Sequence, residues 1–347
     1  MNILAIDLGK FNSMICLFDS ATGEHTFQTV NSTRGYLQVV LKTGKPDLVV
    51  MEACSASGWV SDLCIEMKLK TLVCSTHEEA WRWRSVKRKT DRDDALKLAR
   101  LAAVDQLKAT HVPSRKMREY RSMIRYRKQL VHTMNRLKNS IRAIFAARGI
   151  TIARGEKTWH TGRGQLDDYR LPLKQCSMTD LWRGELDGLL TQLDQVDVLY
   201  KLAEKKLEAI AKEDHRVQRV MQIPGVGRTT AEAIVTSLDN ASRFRSARQV
   251  SAYAGLVPRQ YQSGETDRRG RITKRGSRLL RTLLVQCAWC SLKYNDWARA
   301  TYERIHGGKK VRRKKAAIAL ARKLLVVAWA MLRDESDYDP SRHVATT

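Results

Sequence analysis

The chain has 347 residues, and its 63 Lys and Arg against 36 Asp and Glu give a formal net charge of +27. An excess of cations spread over the whole length makes a polyanion, nucleic acid, the expected partner; 43% hydrophobic and 7% aromatic content excludes a disordered basic tail and supplies two or three cores. Seven cysteines, an odd number without framework spacing, exclude a disulfide scaffold and fit a reducing cytoplasm, and Met1 leads into an apolar strand pattern rather than a signal peptide.

Residues 1–108 alternate between two periods. Short apolar runs at 2–7, 13–19, 48–51 and 71–74 predict strands, and the patterns at 33–42, 58–67 and 92–103 predict helices. That alternation defines an α/β domain. Within it, Trp81, Arg82, Trp83 and Arg84, followed by Lys87, Arg88 and Lys89, interleave aromatics with cations. Such a segment suits stacking on bases and contact with phosphates, with surface-packed tryptophans as the plainer alternative.

Residues 109–215 change to long helix. Tyr120, Met123, Arg127, Leu130, Met134, Leu137, Ile141 and Ile144 follow the 3,4 spacing of a coiled-coil seam. Leu186, Leu189, Leu193, Val196, Tyr200, Ala203, Leu207 and Ile210 do so again, after a polar, glycine-containing stretch at 149–177. An antiparallel hairpin, a dimer seam and two amphipathic helices packed in one subunit all fit this spacing.

Residues 216–347 read as helical and basic, interrupted by two glycine-bearing turns. In IPGVGRTTAEAIVTSL, Pro224, Gly225 and Gly227 precede a helix whose N-terminus favours anions. The turn is helix-hairpin-helix-like, a backbone reader of DNA, with an ordinary helix connection as the alternative. In the second turn, Arg268, Arg269, Arg271, Lys274, Arg275, Arg278 and Arg281 surround Gly264, Gly270 and Gly276, with Ser263 directly before Gly264. The density of cations suits a grip on phosphates rather than a solvated charge run. The longest apolar stretch, 316–332, contains Arg322 and Lys323, which argue for a buried or nucleic-acid-facing helix rather than a membrane span. Cys287 and Cys290 have no second pair and no histidine at zinc-site spacing.

Four carboxylates carry the chemistry. Asp7 closes one apolar strand and Glu52 another, and strand ends line the crevice of a parallel sheet. Asp91 and Asp94 stand three apart at a helix start, on one face of its first turn, whereas Asp93 is turned about a hundred degrees away. Capping accounts for Asp91 or Asp94 taken alone, but not for Asp7 and Glu52. Hard cations held by such oxygens, Mg²⁺ or Mn²⁺, can bind both the attacking and the leaving oxygen of a phosphodiester. Walker A, Gly-x-Gly-x-x-Gly, His-Glu-x-x-His and Gly-x-Ser-x-Gly signatures are all absent.

The order Asp7, Glu52, Asp91, Asp94, a helical middle, PGVG and then GLVPRQYQSG…GRITKRGS…LR resembles the insertion-sequence transposases of the IS-one-ten kind. These are DEDD recombinases whose first domain is similar to the Holliday-junction resolvase RuvC. The resemblance covers essentially the whole chain. It implies an RNase H-like domain at 1–108, a coiled-coil region at 109–215 and a transposase domain with a catalytic serine at 216–347. It further implies metal ligands Asp7, Glu52, Asp91 and Asp94, and Ser263 as nucleophile, in one composite site. Relatives often carry two serines before the glycine, where this chain has Gln262 and Ser263. Implied partners are donor and target DNA, a structured bridge RNA that carries the sequence specificity, and further copies of the chain, acting on DNA in a bacterial cytoplasm. Two rival classes remain open at this point: a metal-dependent nuclease or junction resolvase that attacks with water, and a non-catalytic nucleic-acid scaffold.

Overall fold

A computed structural model of the protein describes residues 1–75, 90–263 and 266–343. The chain divides into two compact units, Met1–Arg118 and Glu119–Thr347.

In the first unit, strands β1 (Asn2–Asp7), β2 (Asn12–Asp19), β3 (His25–Asn31), β4 (Leu48–Glu52) and β5 (Thr71–Cys74) form one sheet in the order β3-β2-β1-β4-β5. The three strands of the first half pair antiparallel, while β1, β4 and β5 run parallel. This mixed topology is consistent with an RNase H-like domain. Helices α1 (Arg34–Gly44) and α2 (Ser57–Glu66) cover one face, where Leu37, Leu41, Val60 and Leu63 pack on Leu4, Ile6, Val49 and Met51. Helix α3 (Asp91–Ala103) covers the other, with Ala95, Leu98 and Ala99 on Ile3, Ala5 and Val50. A strand covered on both faces has no polar side, which is why residues 3–6 are all apolar and wholly buried. Strand β3 went unread in the sequence. It is an edge strand with a single buried residue, Val30, and so lacks the apolar run that marks its neighbours.

In the second unit, α4 (Arg115–Ala146), whose first turn belongs to the first unit, and α6 (Leu181–Glu213) flank the short α5 (Arg163–Asp167). Leu137, Ile141, Ile144 and Phe145 of α4 pack with Leu186, Leu190 and Leu193 of α6, and Arg127 bonds Glu204 further along. The pairings run in opposite directions, so the two seams close on each other within one chain as an antiparallel hairpin. The remaining elements are α7 (His215–Met221), α8 (Arg228–Leu238), α9 (Ala247–Tyr253), β6 (Pro258–Ser263), β7 (Thr266–Ile272), α10 (Arg278–Tyr294), α11 (Asp296–His306) and α12 (Arg313–Arg333). Helix α12 is the core element, with Leu320, Leu324, Leu325 and Ala328 buried among α7 to α11. It is the apolar stretch containing Arg322 and Lys323, both of which keep partial access to water at its edge.

One sequence expectation needs correction. The basic segment read as a glycine turn in helical surroundings is a two-stranded antiparallel ribbon, with Tyr261 opposite Arg268 and Ser263 opposite Thr266. Gly270 lies inside β7 rather than in a turn. An isolated ribbon with polar residues on both faces carries no hydrophobic alternation, so nothing in its periodicity announces strand.

Candidate functional site

Register brings two of the four carboxylates together. Strand β1 pairs in parallel with β4 through Ile6 and Met51, so Asp7 and Glu52 occupy the next position on neighbouring strands, at their C-terminal ends. Side chains alternate along a strand. Asp7 therefore shares the face of Ile3 and Ala5, and Glu52 that of Val50, which is the face covered by α3. Both are partly shielded from water.

Helix α3 supplies the other two. Its buried stripe is Ala95, Leu98 and Ala99, and Asp91 and Asp94 extend that stripe into the first turn, at spacings of four residues from Ala95 and Leu98. The N-cap is built from different residues. Thr90 Oγ1 accepts the Asp93 N–H at 3.3 Å, and Asp93 Oδ2 accepts the Thr90 N–H at 3.1 Å, a reciprocal capping box. Capping thus engages the one acidic residue the periodicity had set aside.

Among the described residues, no three His, Cys, Asp or Glu side chains stand close enough together to hold a metal ion. The structure pairs Asp7 with Glu52 and aligns Asp91 with Asp94 without closing the four into a cage. Carboxylate oxygens suit hard cations such as Mg²⁺ or Mn²⁺. Mg²⁺ is held by one or two carboxylates and otherwise by water and substrate phosphates, and these are hard oxygen donors.

The residues expected at nucleic acid fall into three groups. Trp81, Trp83 and Arg84 lie outside the described residues, as does Gly264. Arg268, Arg269 and Arg271 lie on β7, with Arg268 and Arg271 exposed to solvent. Lys274, Arg275 and Arg278 follow, also exposed, on the segment leading into α10. Arg281 is different: its Nη1 donates to the carbonyls of Ala254 at 3.3 Å, Arg275 at 2.5 Å and Gly276 at 3.0 Å. It clamps the base of the ribbon, where a Cβ on Gly276 would stand 2.1 Å from the Tyr253 carbonyl oxygen. Ser263 is the last residue of β6, at the ribbon's tip.

At the helix-hairpin-helix-like turn the two glycines separate. Gly225 has φ +91, and a Cβ there would meet Ser291 Cα and Oγ at 2.6 Å; its carbonyl accepts the Cys287 thiol at 3.3 Å. Its glycine is required by packing against α10. Gly227, the N-cap of α8, has nothing within 4 Å of its would-be Cβ, so its backbone is open to approach. Gly225→Ala is expected to destabilise by about 2–4 kcal/mol, from strain and overpacking. Gly227→Ala is expected to stay within about 1 kcal/mol. Denaturant melts of the two variants check this contrast.

A buried ionic cluster lies in the second unit, with no local signal in the sequence. Glu232 of α8 is fully buried, with Arg127 at 3.2 Å and Arg228 at 3.0 Å, and both arginines also reach Glu204 of α6. Burial pushes the Glu232 carboxyl up from its ordinary range, and the two arginines pull it back. The cluster ties the helical hairpin to α8.

Hard oxygen donors at parallel strand ends and a cationic ribbon belong to the chemistry of phosphodiesters, so the class is an enzyme of nucleic acid. Comparison with known proteins gives the family. Residues 217–303 match the family described as "Transposase IS116/IS110/IS902 family", and residues 4–147 match the IS110-type DEDD domain described as "Transposase". The chain is 30% identical to the transposase for insertion sequence element IS1111A of Coxiella burnetii, over 97% of this chain and 91% of that one. It is 29% identical to a probable family 20 transposase of Pseudomonas aeruginosa, over 98% and 100%. A pilin gene-inverting protein of Moraxella bovis is 30% identical over 38% of this chain and 41% of its own. The chain belongs to the IS110/IS116 family of insertion-sequence transposases, which are enzymes of DNA recombination. Among the described residues no helix is long and apolar enough to cross a membrane.

Proposed function

We propose that this transposase cuts and rejoins donor and target DNA through a covalent phosphoserine intermediate, guided by a bridge RNA, with Ser263 as nucleophile. The observation that carries the reading is the register that sets Asp7 beside Glu52 at the strand ends, on the face lined by Asp91 and Asp94 of α3, in a chain of DEDD transposase kinship. These four would hold Mg²⁺ or Mn²⁺, which when bound supplies positive charge to phosphate oxygens.

The chain's own residues perform the rest. Ser263 forms an Oγ–P bond as the bond from phosphorus to one DNA strand breaks, and the serine proton ends on the hydroxyl of the departing strand. Attack by the new strand's hydroxyl reverses the exchange, so the energy of the phosphodiester is kept without nucleotide hydrolysis. Arg268, Arg269, Arg271, Lys274, Arg275 and Arg278, with the open Gly227 backbone, contact DNA and RNA phosphates. Gly225 supports that turn by letting it pack on α10. A homo-oligomer, dimer or tetramer, brings two duplexes together; the exposed Val198, Leu199 and Leu202 of α6 support such an assembly.

The test is incubation of the protein with its flanking RNA, donor and target DNA and Mg²⁺, followed by digestion and detection of a Ser263-linked DNA fragment. Ser263→Ala is expected to lose the adduct and strand transfer entirely while keeping DNA affinity within about twofold, as a neutral side chain contributes no counterion release. Adducts from Ser263→Ala protein would remove the nucleophile assignment. Hydrolytic nicking that survives the substitution would establish attack by water instead.

A further inference from the structure

At the base of the ribbon, an open cavity of about 780 Å³ lies between β7, α10 and α12. Its walls are Leu256, Ile272, Val285, Trp289, Ala317 and Ile318. This volume falls in the range of sites that take small organic groups, about 300–1,000 Å³. Trp289 is 38% exposed as a residue, and its ring rests edge-on against Tyr302, with centroids 5.7 Å apart. Lys274, Arg278 and Lys314 line the same cavity with exposed side chains, and no residue lining it is acidic.

We propose that this cavity receives one unpaired base of the bound DNA, stacked on Trp289, with the flanking phosphates on Lys274, Arg278 and Lys314. The proposal rests on the reading of this unit as DNA-binding. An apolar floor with cations as the only charged groups around it, beside the neutral Thr282 and Gln286, matches a group that is aromatic at its centre and anionic on both sides, as an extruded nucleotide is. An amphipathic helix of a protein partner matches it less well, since such a helix would need a rim of carboxylates on the partner.

Position favours DNA as the source. Ile272, which lines the cavity, pairs with Pro258, and Ser263 lies five residues further along β6. At about 3.4 Å per residue the serine is up to about 17 Å from the cavity, about five steps of B-form DNA. A strand engaged at Ser263 can therefore reach the cavity within about five nucleotides.

The test uses the full-length protein and a short DNA duplex carrying one bulged 5-iodouracil, beside the same duplex without a bulge and an RNA duplex with the same bulge. The bulged DNA is expected to bind about tenfold tighter than the perfect duplex, from one base stacked on an aromatic ring. Its photocrosslink is expected to map to Trp289 or its neighbours on α10. Trp289→Ala should lose the preference and keep the perfect-duplex affinity, and Trp289→Phe should retain most of it. Equal affinity for bulged and perfect DNA, a crosslink outside the cavity, or preferential capture of the RNA bulge would each overturn the proposal. Adduct formation at Ser263 is a separate readout, so failure of the recombinase reading leaves the bulge preference standing, and the reverse.

Discussion

Arg127→Ala is expected to destabilise the second unit by about 2–4 kcal/mol, because it leaves a wholly buried carboxylate with one guanidinium partner instead of two. Glu232 has no exposed surface, and its neighbours are two guanidinium groups and Glu204. Two cations and two anions make the cluster neutral; removing Arg127 leaves a net negative charge around the buried Glu232. Domains are stable by about 5–15 kcal/mol, so the loss would bring this unit near its unfolding threshold. The double variant Arg127→Met with Glu232→Gln leaves Arg228 paired with Glu204 and is expected to recover most of the deficit, since ion pairs replaced as a unit cost little. Urea melts should show the midpoint falling in the single variant and returning in the double one at a constant slope. A single-variant loss below about 1 kcal/mol would mean that water reaches Glu232.

The same cluster shows where sequence reasoning reaches its limit. Arg127 sits in the α4 seam at the position of an apolar residue, and the spacing placed it there. Its partners lie 77 and 105 residues away, and nothing local in Glu204 or Glu232 points back to it. Strands β1 and β4 and helix α3 were legible because each buries a continuous run or a 3.6-residue stripe against the sheet. Strand β3 and the β6–β7 ribbon were not, since one has a single buried residue and the other is polar on both faces. Within the candidate site, Asp7 and Glu52 were legible as strand ends, yet only the register made them neighbours. Gly225 was legible as a turn glycine, but its packing on Ser291 is a tertiary fact.

The acidic residues at the start of α3 allow the sharpest separation of catalysis from stability. Asp94→Asn is expected to lower strand cleavage by about 10²–10⁴-fold, the equivalent of several kcal/mol of lost transition-state charge stabilisation. Asp7→Asn and Glu52→Gln should behave alike. Asp93→Asn, one residue away, should leave cleavage unchanged and cost about 1 kcal/mol at most, because its carboxylate completes the N-cap with Thr90. Stability should move the other way at the strand ends. Asp7 and Glu52 are like charges on adjacent strands, and converting either to an amide relieves their repulsion. The strand-end variants, Asp7→Asn and Glu52→Gln, are therefore expected to melt at or slightly above the parent temperature, as substitutions at functional sites often do. They should also bind DNA no more weakly, since a negative charge facing phosphate has been removed. Cleavage assays, thermal melts and DNA titrations on the same four proteins decide the matter: if Asp93→Asn loses cleavage together with Asp94→Asn, the assignment of Asp91 and Asp94 to chemistry and of Asp93 to the cap is wrong.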